Sequence, residues 1–296
     1  MSILRIRDAS GRFVAIPSIK GDKGDKGDAG SVTAVNGRLP DSGGNVKLGA
    51  VHPANLLDNS DFRNPVNQRG QTSYSGEANK DVYTIDRWLF SWQADGRITL
   101  GDGYITKEAA ESAAESGATY AVLTQKIDEK LIDGQKTYTA ALMMADGTLY
   151  VYSGKPANGF GDWDNSIWVG YPYENPAFQI RTGLSGNMLW AALYEGEYTA
   201  DTLPPYVPKG YAAELAECRR YYIDFGDTIF RSTKKSDTMW ALNVQLPTNM
   251  RVIPTVEAAA REGVYPDVYL NVSKNGISWY LESEFTLIYV KAYADL

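Results

Sequence analysis

The chain has 296 residues, with 29 Lys and Arg against 36 Asp and Glu, one His and one Cys, for a formal net charge of −7. A single cysteine excludes an intrachain disulfide framework or a Cys-rich metal site, and a single histidine excludes a His-pair or His-triad zinc site. The acidic balance argues against a broad nucleic-acid footprint, while 20 Tyr, 7 Trp and 28 Gly describe a β-rich chain with aromatics available for recognising sugar or protein.

Met1 to Pro17 alternates basic and apolar residues and lacks the apolar run and cleavage site of a signal peptide. A short hairpin or an attachment segment is expected there. The longest apolar stretches, Ala140 to Ala145 and Met188 to Tyr194, fall far short of the roughly 20 residues that span a bilayer. No membrane insertion is expected, and synthesis is expected in a cytoplasm.

Glycine then recurs at every third position, at Gly21, Gly24, Gly27 and Gly30, with Asp and Lys between. Only glycine fits the crowded axis of a collagen triple helix, so an unbroken period of three points to three chains meeting in a homotrimer. The competing reading is a flexible charged linker. The run lacks proline and is too short to hold a trimer alone. Val32 to Val35 is a strand candidate closed by Asn36-Gly37, and Asn45 to Leu48 follows the turn Asp41 to Gly44. So small a hairpin needs equivalent hairpins around an axis to bury anything, which agrees with a trimer.

From about residue 55 the composition becomes that of a globular domain. Strands are predicted over 86–92, 96–100, 119–124, 136–144, 148–152, 177–181 and 187–194, with Asp146-Gly147 as a hairpin turn. Thr106 to Ser116 reads as a short helix or a surface loop. Strand-sized runs between Gly, Asp and Asn turns predict a β-sandwich. Pro204, Pro205 and Pro208 mark a boundary. Tyr211 to Tyr222 reads as a helix with Leu215, Cys218 and Tyr222 on one face, Glu214 and Glu217 early and Arg219 and Arg220 late. Alternation returns at Trp240, Leu242, Val244 and Leu246, then over 268–272, 277–281 and 285–289, which predicts a final strand held in a sheet.

Several of these stretches, taken together, carry a resemblance. They are Gly21 to Gly30; Val35 to Asp41 with Gly44 to Leu48; Asn55 to Phe62; Asn64 to Gly70; Tyr83 to Trp88; Glu214 to Tyr222; Met250 to Thr255; and Ala294 to Leu296. In that order and spacing the chain resembles tail-fibre and receptor-binding proteins of phages and prophages, especially those of anaerobic gut Gram-positive bacteria. The resemblance implies a homotrimeric virion component. Its N-terminal side would face a baseplate or tail protein, and its distal domain would face a host cell-surface glycan. The collagen-like run is short for such a fibre. No catalytic set comes with the resemblance.

Candidate sites follow from residue chemistry. Asp58, Asp61, Arg69, Asp86 and Arg87 could form a sugar or metal site, but Asn- and Asp-rich text is what turns need, so an ion-paired scaffold is favoured. The segment 160–176 collects Trp163, Trp168, Tyr171 and Tyr173 with Asp162, Asp164, Asn165, Glu174 and Asn175. Aromatic faces stack on pyranose rings, and carboxylates or amides bind hydroxyls, which makes Asp162, Trp163, Asp164, Asn165, Trp168, Tyr171 and Tyr173 the glycan-binding candidates. The alternative is that these aromatics cap the core or line a trimer interface. A glycosidase pair among Asp162, Asp164 and Glu174 needs a carboxylate separation that sequence does not give. Asp162 and Asp164 lack the spacing of a calcium loop. Cys218 reads as a small buried hydrophobe, and His52 has no partner for nucleophilic catalysis.

The expected fold is mainly β: an attachment segment over 1–20, a collagen-like stalk over 21–30, a trimeric β-hairpin connector over 31–54, a jelly-roll-like β-sandwich over 55–205, and a helix plus β-rich domain over 206–296. The expected function is a non-enzymatic trimeric tail fibre that recognises a host glycan, with Gly21, Gly24, Gly27 and Gly30 in trimerisation and no metal or cofactor. A surface-polysaccharide depolymerase and a purely structural baseplate component are the alternatives.

Overall fold

The structure, a computed structural model, describes residues 5–7, 9–15, 53–75, 81–92, 96–108, 121–172, 174–226, 228–260, 269–281 and 284–294. The glycine triplets, residues 31–52 of the hairpin connector expected over 31–54 (His52 among them), and Tyr173 lie outside the described residues. The chain divides into two compact units, Met1–His52 and Pro53–Leu296. In the first, β1 (Arg5–Arg7) pairs antiparallel with β2 (Phe13–Ala15), Ile6 opposite Val14. Gly11 takes the left-handed φ of 80° that the reversal between them needs.

The second unit is mainly β with several sheets and one helix. Its first part carries β3 (Ser73–Ser75), β4 (Val82–Tyr83), β5 (Leu89–Trp92), β6 (Arg97–Leu100), β7 (Ile105–Glu108) and β8 (Ala121–Lys126). It continues with β9 (Tyr138–Met144), β10 (Leu149–Gly154), β11 (Phe160–Gly161), β12 (Ile167–Gly170), β13 (Ala177–Ile180) and β14 (Gly186–Glu195). They form two six-stranded sheets in the orders β10-β9-β14-β7-β6-β3 and β11-β12-β13-β8-β5-β4. Both sheets contribute to one core: Ile98, Ile105, Leu142 and Leu193 from the first meet Phe90, Leu123, Val169 and Phe178 from the second. Trp88 sits at its centre, edge-on to Phe62 at 5.1 Å and to Phe178 at 6.1 Å.

The two longest apolar runs of the sequence are β9 and β14. They do not alternate with polar residues because both of their faces are covered. Ala140 and Leu142 enter the shared core, while Ala141 and Trp190 pack under Tyr198, Leu203 and Tyr206 from the segment that follows β14. Trp190 and Tyr206 are stacked at 4.7 Å with 8° between their planes. The segment around Pro204 and Pro205 is therefore a strap over the first sheet. Among the described residues no helix is long and apolar enough to cross a membrane.

The second part begins with α1 (Tyr211–Cys218) and continues through β15 (Tyr222–Asp224), β16 (Phe230–Arg231), β17 (Thr233–Ser236), β18 (Met239–Gln245), β19 (Thr255–Ala260), β20 (Tyr269–Ser273), β21 (Gly276–Leu281) and β22 (Thr286–Tyr293). One sheet runs β17-β18-β21-β20; in the other, β22 is flanked by β15 and β16 on one side and β19 on the other. Leu242, Val244, Ile277, Trp279, Leu287, Val290 and Ala292 form their common core. β18 keeps the expected alternation, whereas in β22 an irregularity opposite Ala259 and Ala260 shifts the phase after Leu287, so Val290 and Ala292 face the core and Tyr289 does not. The edge strand β17 is exposed at every residue and carries Lys234 and Lys235, which discourages pairing with another chain.

Several elements differ from expectation. Strands such as β3, β12 and β19 have no counterpart among those expected. Thr106 to Glu108 belongs to β7 rather than to a short helix or surface loop, while 109–120 lies outside the described residues. The helix stops at Cys218, and Tyr222 starts a strand. Its buried positions are Glu214 and Cys218, with Leu215 only half-buried, because the helix docks through a buried carboxylate.

Candidate functional site

Two groupings singled out in the sequence acquire different geometries. The first surrounds Asn59, which is buried with φ of 50°. Its Nδ2 donates to the carbonyls of Val66 and Asp86, both at 2.8 Å, and its Oδ1 accepts from the Val66 N–H at 2.7 Å. Its own N–H donates to Glu214 Oε2 at 2.7 Å, and its carbonyl accepts from Trp88 Nε1 at 2.8 Å. Asp86 takes Arg69 on one oxygen at 2.9 Å and the Gln68 N–H on the other at 3.0 Å. Arg87, at φ of 72°, pairs with Asp58 at 3.3 Å, donates to the Lys126 carbonyl at 2.8 Å and lies 3.5 Å from the Tyr221 ring centroid. Lys209 closes on the other oxygen of Asp58 at 3.1 Å.

This is a buried polar junction between the first strands and α1. Burial raises the Glu214 pKa, against the Asn59 N–H and Lys209, which lower it. Burial likewise pushes the Cys218 thiol up, the wrong direction for a nucleophile. Asp58, Arg69, Asp86 and Arg87 thus act as an ion-paired scaffold. Asp61 instead turns outward to Arg63 at 2.6 Å. Among the described residues no group of three or more His, Cys, Asp or Glu is placed to hold a metal.

The second grouping is the turn between β11 and β12. Asp162 fixes it, its Oδ1 accepting from the N–H groups of Asp164 at 3.1 Å and Asn165 at 3.0 Å and from the Asn165 amide at 3.3 Å. Trp168, on the outward face of β12, lies edge-on to Trp163 at 4.7 Å and 88°. Gly159 and Gly170 leave room for it: a Cβ at either would stand 2.7 Å or 2.4 Å from the Trp168 ring. The Arg181 guanidinium lies 3.6 Å from the Trp163 ring centroid and donates to the Trp163 carbonyl at 2.5 Å. Arg181 also donates to Gln179 at 2.7 Å, and Gln179 reaches Thr124 at 3.4 Å.

Trp163 is held from below and from one side, yet 47% of it is exposed. The structure therefore brings Asp162, Trp163, Asn165 and Trp168 together, with Asp164 and Asn165 exposed beside them. Tyr171 stands apart at the far end of β12, 40% exposed, beside Gly134. Sequence reasoning missed Arg181 and Gln179. Gln179 carried a local signal, since it alternates with the core residues Phe178 and Ile180 on β13 and so faces away from that core; Arg181 follows directly after the strand.

No protein-family model, curated protein or solved structure matches this chain in comparison.

Proposed function

We propose that this chain is a non-enzymatic receptor-binding or tail-fibre component of a phage virion, working as a homotrimer that engages a host cell-surface glycan. The observation that carries the binding part is Trp163. A large aromatic ring, cation-stacked on a nearly buried arginine, is left almost half exposed beside two amide- or carboxylate-bearing side chains. A rigid apolar plate with polar neighbours suits a sugar ring. The trimeric part rests on the uninterrupted glycines at 21, 24, 27 and 30. On this reading residues 21–30 form a short triple-helical stalk, 31–54 a hairpin connector and the two six-stranded sheets a jelly-roll-like sandwich. The tail or baseplate would be met through residues 1–20.

The depolymerase reading gains no support, since Asp162 Oδ1 is committed to the turn it stabilises. Binding of the full chain to purified cell-wall polysaccharide, compared with Trp163→Ala, tests the proposal. Loss of retention in the variant is expected; unchanged retention would remove this loop as the receptor site. A solution mass equal to one chain would overturn the trimer.

A further inference from the structure

A grouping of different chemistry lies on the outer face of the sheet formed by β15, β22 and β19. Strand register places Asp224, Lys291 and Glu257 side by side across three strands, and Tyr222, Tyr293 and Thr255 in the adjoining row. Tyr289 stands two residues from Lys291 on the same face, opposite Ala259. The Tyr289 hydroxyl donates to Glu257 Oε1 at 2.6 Å and the Tyr293 hydroxyl to Oε2 at 2.7 Å. Lys291 leans the other way, to Asp224 at 3.5 Å, with its Nζ 5.6 Å from the Tyr289 ring centroid. Asp224 is itself fixed by the Tyr222 hydroxyl at 3.1 Å and the Gly226 N–H at 2.8 Å. Glu257 is exposed, and Tyr289, Lys291 and Tyr293 are half-buried.

We propose that this face is a second contact for a neutral pyranose glycan. The two phenols orient the Glu257 carboxylate without saturating it, since each of its oxygens can accept a second hydrogen bond. Both phenols favour the ionised form, so Glu257 is held below its usual pKa and keeps its acceptors. Adjacent hydroxyls of a pyranose donate to such a carboxylate in pairs. The neighbouring ammonium, with three donors, serves hydroxyls as acceptors. An acceptor, a donor and an acceptor in one row match groups that both give and take hydrogen bonds. The Tyr289 and Tyr293 rings border the row and offer flat apolar surface to the C–H face of a sugar.

Charge narrows the class. Two carboxylates against one ammonium leave the row negative, which disfavours uronate or phosphate polymers. At its Tyr222 end this face is buried under Arg69, 3.9 Å from the ring centroid, while the Glu257 side is open and suited to residues within a chain and to weak individual contacts. Repetition in the proposed trimer would supply avidity. The inference rests on the glycan-binding reading and adds a site to it.

The test is binding of the full chain to immobilised neutral glucans, galactans and mannans, with a polygalacturonate as the anionic control. Glu257→Ala and Tyr289→Ala should each weaken binding to a neutral polymer about tenfold with little change in thermal melting, because Glu257 is exposed and Tyr289 lies outside the core cluster of this part. If both variants bind as tightly as the parent while Trp163→Ala does not, this face is not a subsite and the loop reading survives. Binding of the anionic polymer alone overturns the neutral class. If the parent binds none of the polymers, this inference and the glycan reading both fail.

Discussion

The junction around Asn59 and the turn around Trp163 are written in the same alphabet of Asp, Asn, Arg and aromatic residues, yet they do opposite things. At the junction every polar group of Asn59 has a partner, and the Arg87 guanidinium lies closed between Asp58, a carbonyl and Tyr221. At the turn Asp162 and Arg181 are equally committed, but they serve to hold Trp163 outward. Composition therefore does not separate scaffold from site. Whether the network encloses its aromatic or presents it does.

The sharpest way to break that contrast is at the junction. Asp86→Ala would leave Arg69 without its buried partner and the Gln68 N–H without an acceptor. A loss of about 3–5 kcal/mol is expected, read as a lower denaturant midpoint at unchanged slope. If the loss is under about 1 kcal/mol, the junction is no more than a surface ion pair and the contrast fails.

Beneath the turn region lies a charge treated differently again. Lys107 is fully buried, with its Nζ 2.7 Å from the Leu184 carbonyl and 3.5 Å from that of Thr182. Burial, with repulsion from Arg181 second, pushes its pKa down from 10.5 to about 7. Between those pH values the unfolded chain binds a proton that the folded chain does not. Stability therefore rises with pH across that window, and below it the contribution stays at its minimum. Relative to Lys107→Met, the parent should gain on the order of 4 kcal/mol from pH 7 to 10.5, read by denaturant unfolding at several pH values. Parallel pH profiles would mean that Lys107 stays charged in the folded protein.

A smaller effect is expected at Gly159. Its φ of 66° favours glycine, and a Cβ there would stand 2.7 Å from the Trp168 ring. Gly159→Ala should cost about 1–3 kcal/mol and displace Trp168 from Trp163, altering near-ultraviolet circular dichroism. An unchanged spectrum would mean that the glycine does not set the ring's place.

How much of this was legible depends on how locally each feature is encoded. Strand periods are local, so β18 and β21 could be read from their alternation and the Asp146-Gly147 turn from its dipeptide, whereas the face of β22 could not, because its phase shifts after Leu287 where it pairs with Ala259 and Ala260. β9 and β14 were legible as strands, but not as strands covered on both faces, because the strap bearing Tyr198 and Tyr206 is set by tertiary packing. The helix face was misread for the same reason. A glutamate early in a helix fits its dipole, and nothing near it in sequence announces that Asn59, 155 positions away, is its partner. In the candidate turn the aromatics were visible as a cluster. Arg181 was not, since it lies just past the end of β13, and Tyr171 was grouped with Trp163 only because the two are close in sequence. The Tyr289, Lys291 and Tyr293 alternation was visible, but Glu257 arrives beside it only through pairing of β19 with β22.

The smallest change in stability should accompany the largest change in binding. Trp163 contributes one ring edge to Trp168 and one face to Arg181, and the rest of it meets solvent. Trp163→Ala removes no core contact of the two six-stranded sheets, whose shared cluster does not include it. Its cost is limited to the aromatic and cation contacts, about 1 kcal/mol, a shift of a few degrees in melting temperature. Arg181 keeps Gln179 and the residue 163 carbonyl, which the substitution leaves in place. On the proposed reading, a ring held in place by Arg181 and Trp168 that adds so little to folding is oriented for a ligand. If Trp163→Ala instead destabilises the protein as much as Asp86→Ala does, the turn is scaffold like the junction, and the exposed ring is the rim of a packed structure rather than a contact surface.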